Sequence, residues 1–233
     1  MMKSGQRKPY NGESRNVSRK KKVFKATIYK IFEERKFNEL SVNKVAARSG
    51  ISKNLIYRYF GTLRNLIDQF IHEVDYWYHL DPLTVESIAE QKNRMKQTFR
   101  SLYQYLLVHP DMCGLVIWEL CENNRSTTEM LKRREQVSEG YFEDTDKLFG
   151  EILDFRAVSA ILFAGIYHLS AYSSIQKVSF CGINTSEAQG QERILKAMDT
   201  ILDKAYADIE QNPERDNRMC PTESSSQKNY RSA

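Results

Sequence analysis

Along most of this chain the apolar residues recur at steps of three and four, the spacing of one helix face rather than the alternation of a strand. From Ser18 onward, Val23, Phe24, Thr27, Ile28, Ile31 and Phe32 trace a stripe that ends near Lys36, and Phe37 and Leu40 follow it. Val42, Val45 and Ala46 form a short second stripe, and Ile56 and Phe60 a third. The fourth is the clearest: Leu63, Leu66, Ile67, Phe70, Ile71, Val74, Trp77 and Tyr78 mark four turns of one amphipathic helix. That is longer than a small bundle needs, so the pattern predicts a helix that runs on into a second body as a lever. Asp81-Pro82 should end it, because proline removes a backbone donor. Further helices are predicted over about 84–108, 111–124, 126–149, 155–177 and 187–210, with breaks at Pro110, Asn123 to Thr128, Gly150 and Cys181-Gly182. No stretch alternates with period two and no repeat is present. The predicted fold is all-α.

Two late helices differ from the rest. Residues 155–175 are apolar on nearly every side, and a helix apolar all round must be buried all round. Ala160, Ala164, Gly165 and Ala171 would let another helix come close. Ile194, Leu195, Met198, Ile201, Leu202, Ala205 and Ile209 form an ordinary single stripe.

Residues 41–60 carry the most specific local pattern. Ser41 suits a helix cap, Gly50 the positive φ that ends a helix, Ile51 an inward plug and Ser52 a second cap. A helix pair joined by a short glycine-containing turn is the geometry that sets a second helix in a DNA major groove. Lys53 and Asn54 stand where side chains reach base edges, Leu55 where a thymine methyl would lie, and Tyr57, Arg58 and Tyr59 where phosphates would. Ser41, Asn43 and Ser52 lie at helix starts, whose free N–H groups suit phosphate.

The same stretch resembles the DNA-binding domain of the TetR family of bacterial transcriptional regulators, through Ser41, Val42, Val45, Ala46, Ser49, Gly50, Ile51, Ser52, Ile56, Tyr57, Tyr59, Phe60 and Leu66. The resemblance covers roughly residues 20 to 75. Leu63 stands where that family usually has lysine, with Arg64 beside it as a substitute cation; Asn54 replaces a common Gly or Pro, and Lys36 a Gly. The resemblance implies a three-helix DNA-binding head with a helix-turn-helix, followed by a larger helical ligand-binding and dimerisation domain. It also implies a homodimer on a palindromic double-stranded DNA operator, with the last two long helices pairing across the two copies. A wholly intramolecular core is the alternative for those helices.

Charge refines the organisation. Residues 1–22 hold eight basic residues against Glu13 alone, so they carry +7 of a chain whose net charge is +5. We read residues 1–17 as a disordered basic arm drawn to phosphate, 18–62 as the head, 63–210 as the regulatory and dimerisation domain, and 211–233 as a flexible tail. The arm has no apolar leader segment, and no run approaches the ~20 apolar residues of a membrane helix. The four cysteines lack metal-ligand spacing. A reduced cytoplasmic protein with no membrane association is expected.

The second domain is rich in aromatic residues. Trp77, Tyr103, Trp118, Tyr141, Phe163 and Tyr167 are candidates to line a pocket for a small hydrophobic or aromatic ligand, though any one of them is more readily a core residue. His72, Asp75 and His79 share a helix face without an assured third ligand, so no metal and no cofactor is expected. No phosphate loop, nucleophile motif or acid-base pair suggests an enzyme. Two further readings stay open: a DNA-binding factor of the same fold with no small-molecule ligand, controlled by a protein partner, and an interaction protein whose helix-turn-helix is vestigial.

Overall fold

The computed structural model describes residues 11–80, 87–150, 152–176 and 178–210. Among them it has nine α-helices: α1 (Asn11–Glu33), α2 (Val42–Ser49), α3 (Asn54–Phe60), α4 (Leu63–Val74), α5 (Ile88–Val108), α6 (Pro110–Cys121), α7 (Arg125–Phe149), α8 (Phe155–Ile175) and α9 (Ala188–Glu210). Two 3-10 turns, Phe37–Glu39 and Tyr76–His79, and one isolated β-bridge between Phe180 and Ile183 complete the described secondary structure. The fold is all-α.

Two elements depart from the pattern-based expectation. The first helix begins at Asn11, so residues 11–17, expected to be disordered, are helical. The fourth stops at Val74 instead of running four turns. Asp75 is extended (φ −71°, ψ 115°) and fully buried, and its carboxylate accepts the Trp77 N–H at 3.3 Å, which bends the chain into the 3-10 turn. The expected stop at Asp81-Pro82, Cys220, residues 1–10 and the tail from 211 lie outside the described residues.

The chain forms two compact units. The first comprises described residues up to His79 together with His109–Lys132, so α6 belongs with the first four helices. Its core gathers Phe24, Ile28, Ile31, Phe32, Val45, Ile56, Phe60, Leu66 and Phe70, all buried. Phe32 stacks on Phe70 at 4.3 Å and meets Trp118 of α6 edge-on at 5.2 Å. The α1–α6 approach is close enough that a Cβ on Gly114 would sit 2.1 Å from the Phe32 carbonyl oxygen. Only glycine fits there. The fourth helix lies wholly in this unit; the helix whose residues belong to both is α7, through Lys132 in the first and from Arg133 in the second.

The second unit contains α5, the rest of α7, α8 and α9. Antiparallel α5 and α9 are joined by an ion-pair ladder. Arg100 holds Asp199 through Nε at 3.1 Å to both carboxylate oxygens, Lys96 meets Asp203 at 2.6 Å, and Lys92 meets Glu210 at 2.9 Å. Tyr206 of α9 bridges α5 and α8, its hydroxyl donating to Gln91 and its ring edge-on to Phe155, and about two turns on Phe99 of α5 meets Phe163 of α8 directly at 4.6 Å, so α5 and α8 run parallel.

The expectation that the 155–175 helix is buried on every side is not met within one chain. Phe155, Ser159, Leu162, Ile166 and Ser170 are buried, while Ala157, Ala160, Ile161 and Ala164 are exposed, Ile161 by 73%. The expectation that no segment is apolar enough to cross a membrane also needs correction. By length and composition α8 is such a helix among the described residues, and only 22% of its most apolar window is buried.

Candidate nucleic-acid interface

The helix-turn-helix is built as its residue types dictate. Ser41 is extended (φ −133°, ψ 151°) and its hydroxyl accepts the Lys44 N–H at 3.4 Å, capping α2. Gly50 adopts φ 66°, ψ 19° and donates its N–H to the carbonyls of Ala46 and Ala47, closing that helix. Ile51 is half-buried behind the turn. The next helix starts at Asn54 with Lys53 at the N-cap position and no side-chain cap, so the expected Ser52 cap is replaced by backbone: the Ser52 carbonyl accepts the Leu55 N–H at 3.0 Å. Thr62 caps α4 by accepting the Asn65 N–H at 3.0 Å.

Burial of Ile56 and Phe60, with Phe24 edge-on to Phe60 at 6.1 Å, fixes the rotation of α3. Its other side is therefore turned to solvent. Lys53, Asn54, Tyr57 and Arg58 are exposed, Tyr57 by 51%, while Leu55 and Tyr59 are half-buried. Ser41, Asn43 and Ser52 are exposed too. The Lys53 ammonium donates to the Asn43 amide oxygen at 3.2 Å, so the starts of α2 and α3 share one polar cluster.

Arg64 differs from the other candidates. Its guanidinium is ion-paired with Asp68 at 3.4 Å and with Glu129, inside the first unit. Leu63 lines a cleft of about 340 Å³ with Phe37, Leu40, Ile67 and Trp118, with Arg64, Arg125 and Glu122 at its polar edge. The start of α4 thus presents an apolar residue and a paired cation. Two residues were missed from the sequence. Lys44 is exposed in the first turn of α2 and its ammonium donates to the Asn38 carbonyl at 2.9 Å. Exposed Thr62 ends the turn after the recognition helix; a threonine three residues before Asn65 and ahead of an apolar run was a readable cap signal.

Behind the motif, acidic groups are neutralised by neighbours. Bonds from Lys36 and Arg48 hold the Glu34 carboxyl down to about 2, and Glu34 and Glu39 in turn raise Arg48.

The six aromatic candidates divide between the units. Trp77 and Trp118 belong to the first, both buried, Trp118 as a core residue against Phe32. Tyr103, Tyr141, Phe163 and Tyr167 belong to the second. There the Arg134 guanidinium, itself buried, lies 5.9 Å over the Tyr167 ring. Among the described residues the buried hydroxyls of Tyr103, Ser159 and Ser170 have no hydrogen-bond partner, and desolvation raises the Tyr103 phenol. His72, Asp75 and His79 do not converge: His72 lies against Tyr78, Asp75 is tied to Trp77, and His79 bonds the Glu73 carbonyl. Among the described residues no group of three or more His, Cys, Asp or Glu is placed to hold a metal ion. Cys113 is buried and its thiol is pushed up to about 11 by desolvation, whereas Cys121 is exposed.

A capped helix, a left-handed glycine and a second helix with a polar outer face and an apolar inner one define a helix-turn-helix DNA-binding head. Residues 18–69, from α1 into α4, match the family described as bacterial regulatory proteins, tetR family. Residues 18–69 thus carry the DNA-binding segment of that family, and the chain is a DNA-binding transcriptional regulator. A comparison with curated proteins finds no match.

Proposed function

We propose that the protein is a homodimeric repressor that holds a palindromic operator and is released from it by a small-molecule ligand. The observation that carries this is the solvent-facing set Lys53, Asn54, Tyr57 and Arg58, held outward by buried Ile56 and Phe60. In this reading Lys53 and Asn54 read base edges and Leu55 meets a thymine methyl. Tyr57, Arg58, Tyr59, Ser41, Asn43 and Ser52 position the head on phosphates. Arg64 is the weakest member because its charge is already paired.

Dimerisation is supported by the exposed apolar side of α8, together with Ile201 of α9, 43% exposed. Water should not face so many aliphatic groups on a stable helix. A second copy would cover them and set two recognition helices ~34–36 Å apart, one turn of B-DNA. The ligand reading rests on the partnerless buried hydroxyls of Tyr103, Ser159 and Ser170, because a buried polar group without a partner is costly unless something fills the role. Phe163 and Tyr167 supply flat apolar surface nearby on α8, consistent with a hydrophobic or aromatic ligand. Binding of ligand and operator would be reciprocally coupled, with α7, whose residues belong to both units, as the route. Such a regulator works in the cytoplasm. The same fold controlled by a protein partner is the second reading, favoured if the second unit takes up no small molecule.

The test is a gel shift of the full chain with the DNA upstream of its own gene, followed by a ligand screen read as release. Binding that requires two half-sites supports the reading; a monomer with no preference for any duplex ends it. Tyr103→Phe should alter ligand response while leaving DNA affinity unchanged.

A further inference from the structure

We propose that the start of α1, Arg15 to Lys22, is a rigid cationic rod that grips the phosphate backbone of duplex DNA beside the recognition helix. The proposal rests on the reading that this head binds DNA and adds a second contact element to it.

The observations come from the first unit alone. Its helix α1 starts well before its first fully buried residue, Phe24, so the preceding turns extend beyond the core as a helix. Arg15, Arg19, Lys21 and Lys22 on them are exposed and Lys20 is half-buried. From Glu13 to Glu33 the chain has no other acidic residue. These five cations make no ion pair among the described residues. Elsewhere in the same unit Lys25, Lys30, Lys36, Arg48 and Arg64 are each paired with a carboxylate. Among the described residues, the cations of α1 thus add a second set of carboxylate-free charge to that of Lys44, Lys53 and Arg58, while the start of α4, the helix that follows α3, presents Leu63 and paired Arg64.

Position and spacing fit a phosphate partner. The Lys21 ammonium lies 5.9 Å over the ring of Phe60, the last residue of α3, so the C-terminal end of the rod lies beside the end of that helix. An open groove of about 600 Å³ runs beside it, lined by Val17, Ser18, Lys21, Lys22, Lys25 and Gln69. The seven helical steps from Arg15 to Lys22 rise ~10 Å, which matches about three phosphates at ~3.4 Å of axial rise per strand. A helix holds these charges at fixed spacing, where a disordered tail would only raise local attraction. Being bonded to no carboxylate among the described residues, they need break no ion pair when DNA arrives.

Two variants of the full chain separate charge from rigidity. One carries Arg15→Gln, Arg19→Gln, Lys20→Gln, Lys21→Gln and Lys22→Gln. The other, Ser18→Pro, keeps every charge but breaks the helix at an exposed position. Affinity for the protein's own upstream duplex and for a random-sequence duplex of equal length is measured by fluorescence anisotropy across a salt series, with thermal melting as the check on folding. The neutralised variant should lose about 3 from the slope of log affinity against log salt on both duplexes, near 0.9 per phosphate released. Ser18→Pro should bind several-fold more weakly with its melting transition retained. If the larger change upsets folding, the pair Lys21→Gln and Lys22→Gln should still lower the slope by about 1–2. A wild-type slope in either neutralised protein overturns the proposal, and so does wild-type affinity in Ser18→Pro. A wild-type chain that binds neither duplex would instead remove the DNA-binding reading beneath it.

Discussion

Position 57 holds a tyrosine with half its surface in water, between buried Ile56 and exposed Arg58. A phenol placed there presents a hydroxyl to whatever approaches α3. Tyr57→Phe should weaken binding by about 1.5–3 kcal/mol, the range for a hydrogen bond to a charged group, on every operator variant alike. Loss on some variants only would mean that the hydroxyl reads bases. Lys53→Ala and Asn54→Ala should do the reverse, relaxing preference at one base pair by about 1–3 kcal/mol. The Lys53–Asn43 bond makes the lysine a coupled case, so Asn43→Ala should free its ammonium and shift the same base pair. On the protected side of the motif, Glu34 titrates well below the ordinary 4.5, at about 2, when folded. Its stabilising effect is therefore present above pH ~4.5 and is lost as pH falls toward 2. Glu34→Gln should flatten that part of an acid-unfolding curve followed by circular dichroism, while a curve identical to wild type would mean the Lys36 and Arg48 bonds do not persist in solution.

At the scale of elements, α6 against α1 is the contact on which the head depends most clearly. Gly114 faces the Phe32 carbonyl with no room for a methyl group. Gly114→Ala must push α6 away or shift the α1 backbone, and overpacking of this kind costs about 1–3 kcal/mol. We expect a lower melting temperature and weaker DNA binding, although α6 carries none of the proposed DNA contacts. An unchanged melt would show that the two helices slide apart at no cost. The α5–α9 ladder plays a different part. Its side chains stay in contact with water at the surface, so each pair contributes modestly, but alternating Lys92, Lys96 and Arg100 with Glu210, Asp203 and Asp199 favours one register over a shifted one.

For the whole molecule the decisive surface is the outer side of α8. Ile161→Glu or Ala164→Glu leaves the single chain intact, because both positions are exposed in it. In a dimer sealed there, either change buries an unpaired carboxylate at a cost of several kcal/mol. Each variant should sediment as a monomer and lose operator binding while keeping its helical circular dichroism. A charged variant that still dimerises would move the interface to another surface.

Helix number, helix type and most boundaries were legible in the residues themselves, because period, caps and breakers act locally. Ser41, Gly50 and Pro110 do the same thing in almost any context. The outward set of α3 was legible for the same reason: Ile56 and Phe60 can only point inward, and the rest follows from the 3.6-residue turn. What only the tertiary structure decided is which helices keep company. Apolar periodicity says that a face is buried, not against what, so α6 joining α1, α4 ending at buried Asp75 and α7 belonging to both units had no local signal. Pairing of charges is likewise decided in three dimensions. Arg64 and Arg19 are both basic residues on amphipathic helices, yet among the described residues one is ion-paired and the other is not, because folding brings Glu129, sixty-five residues away, to Arg64, where Asp68 one turn on already lies.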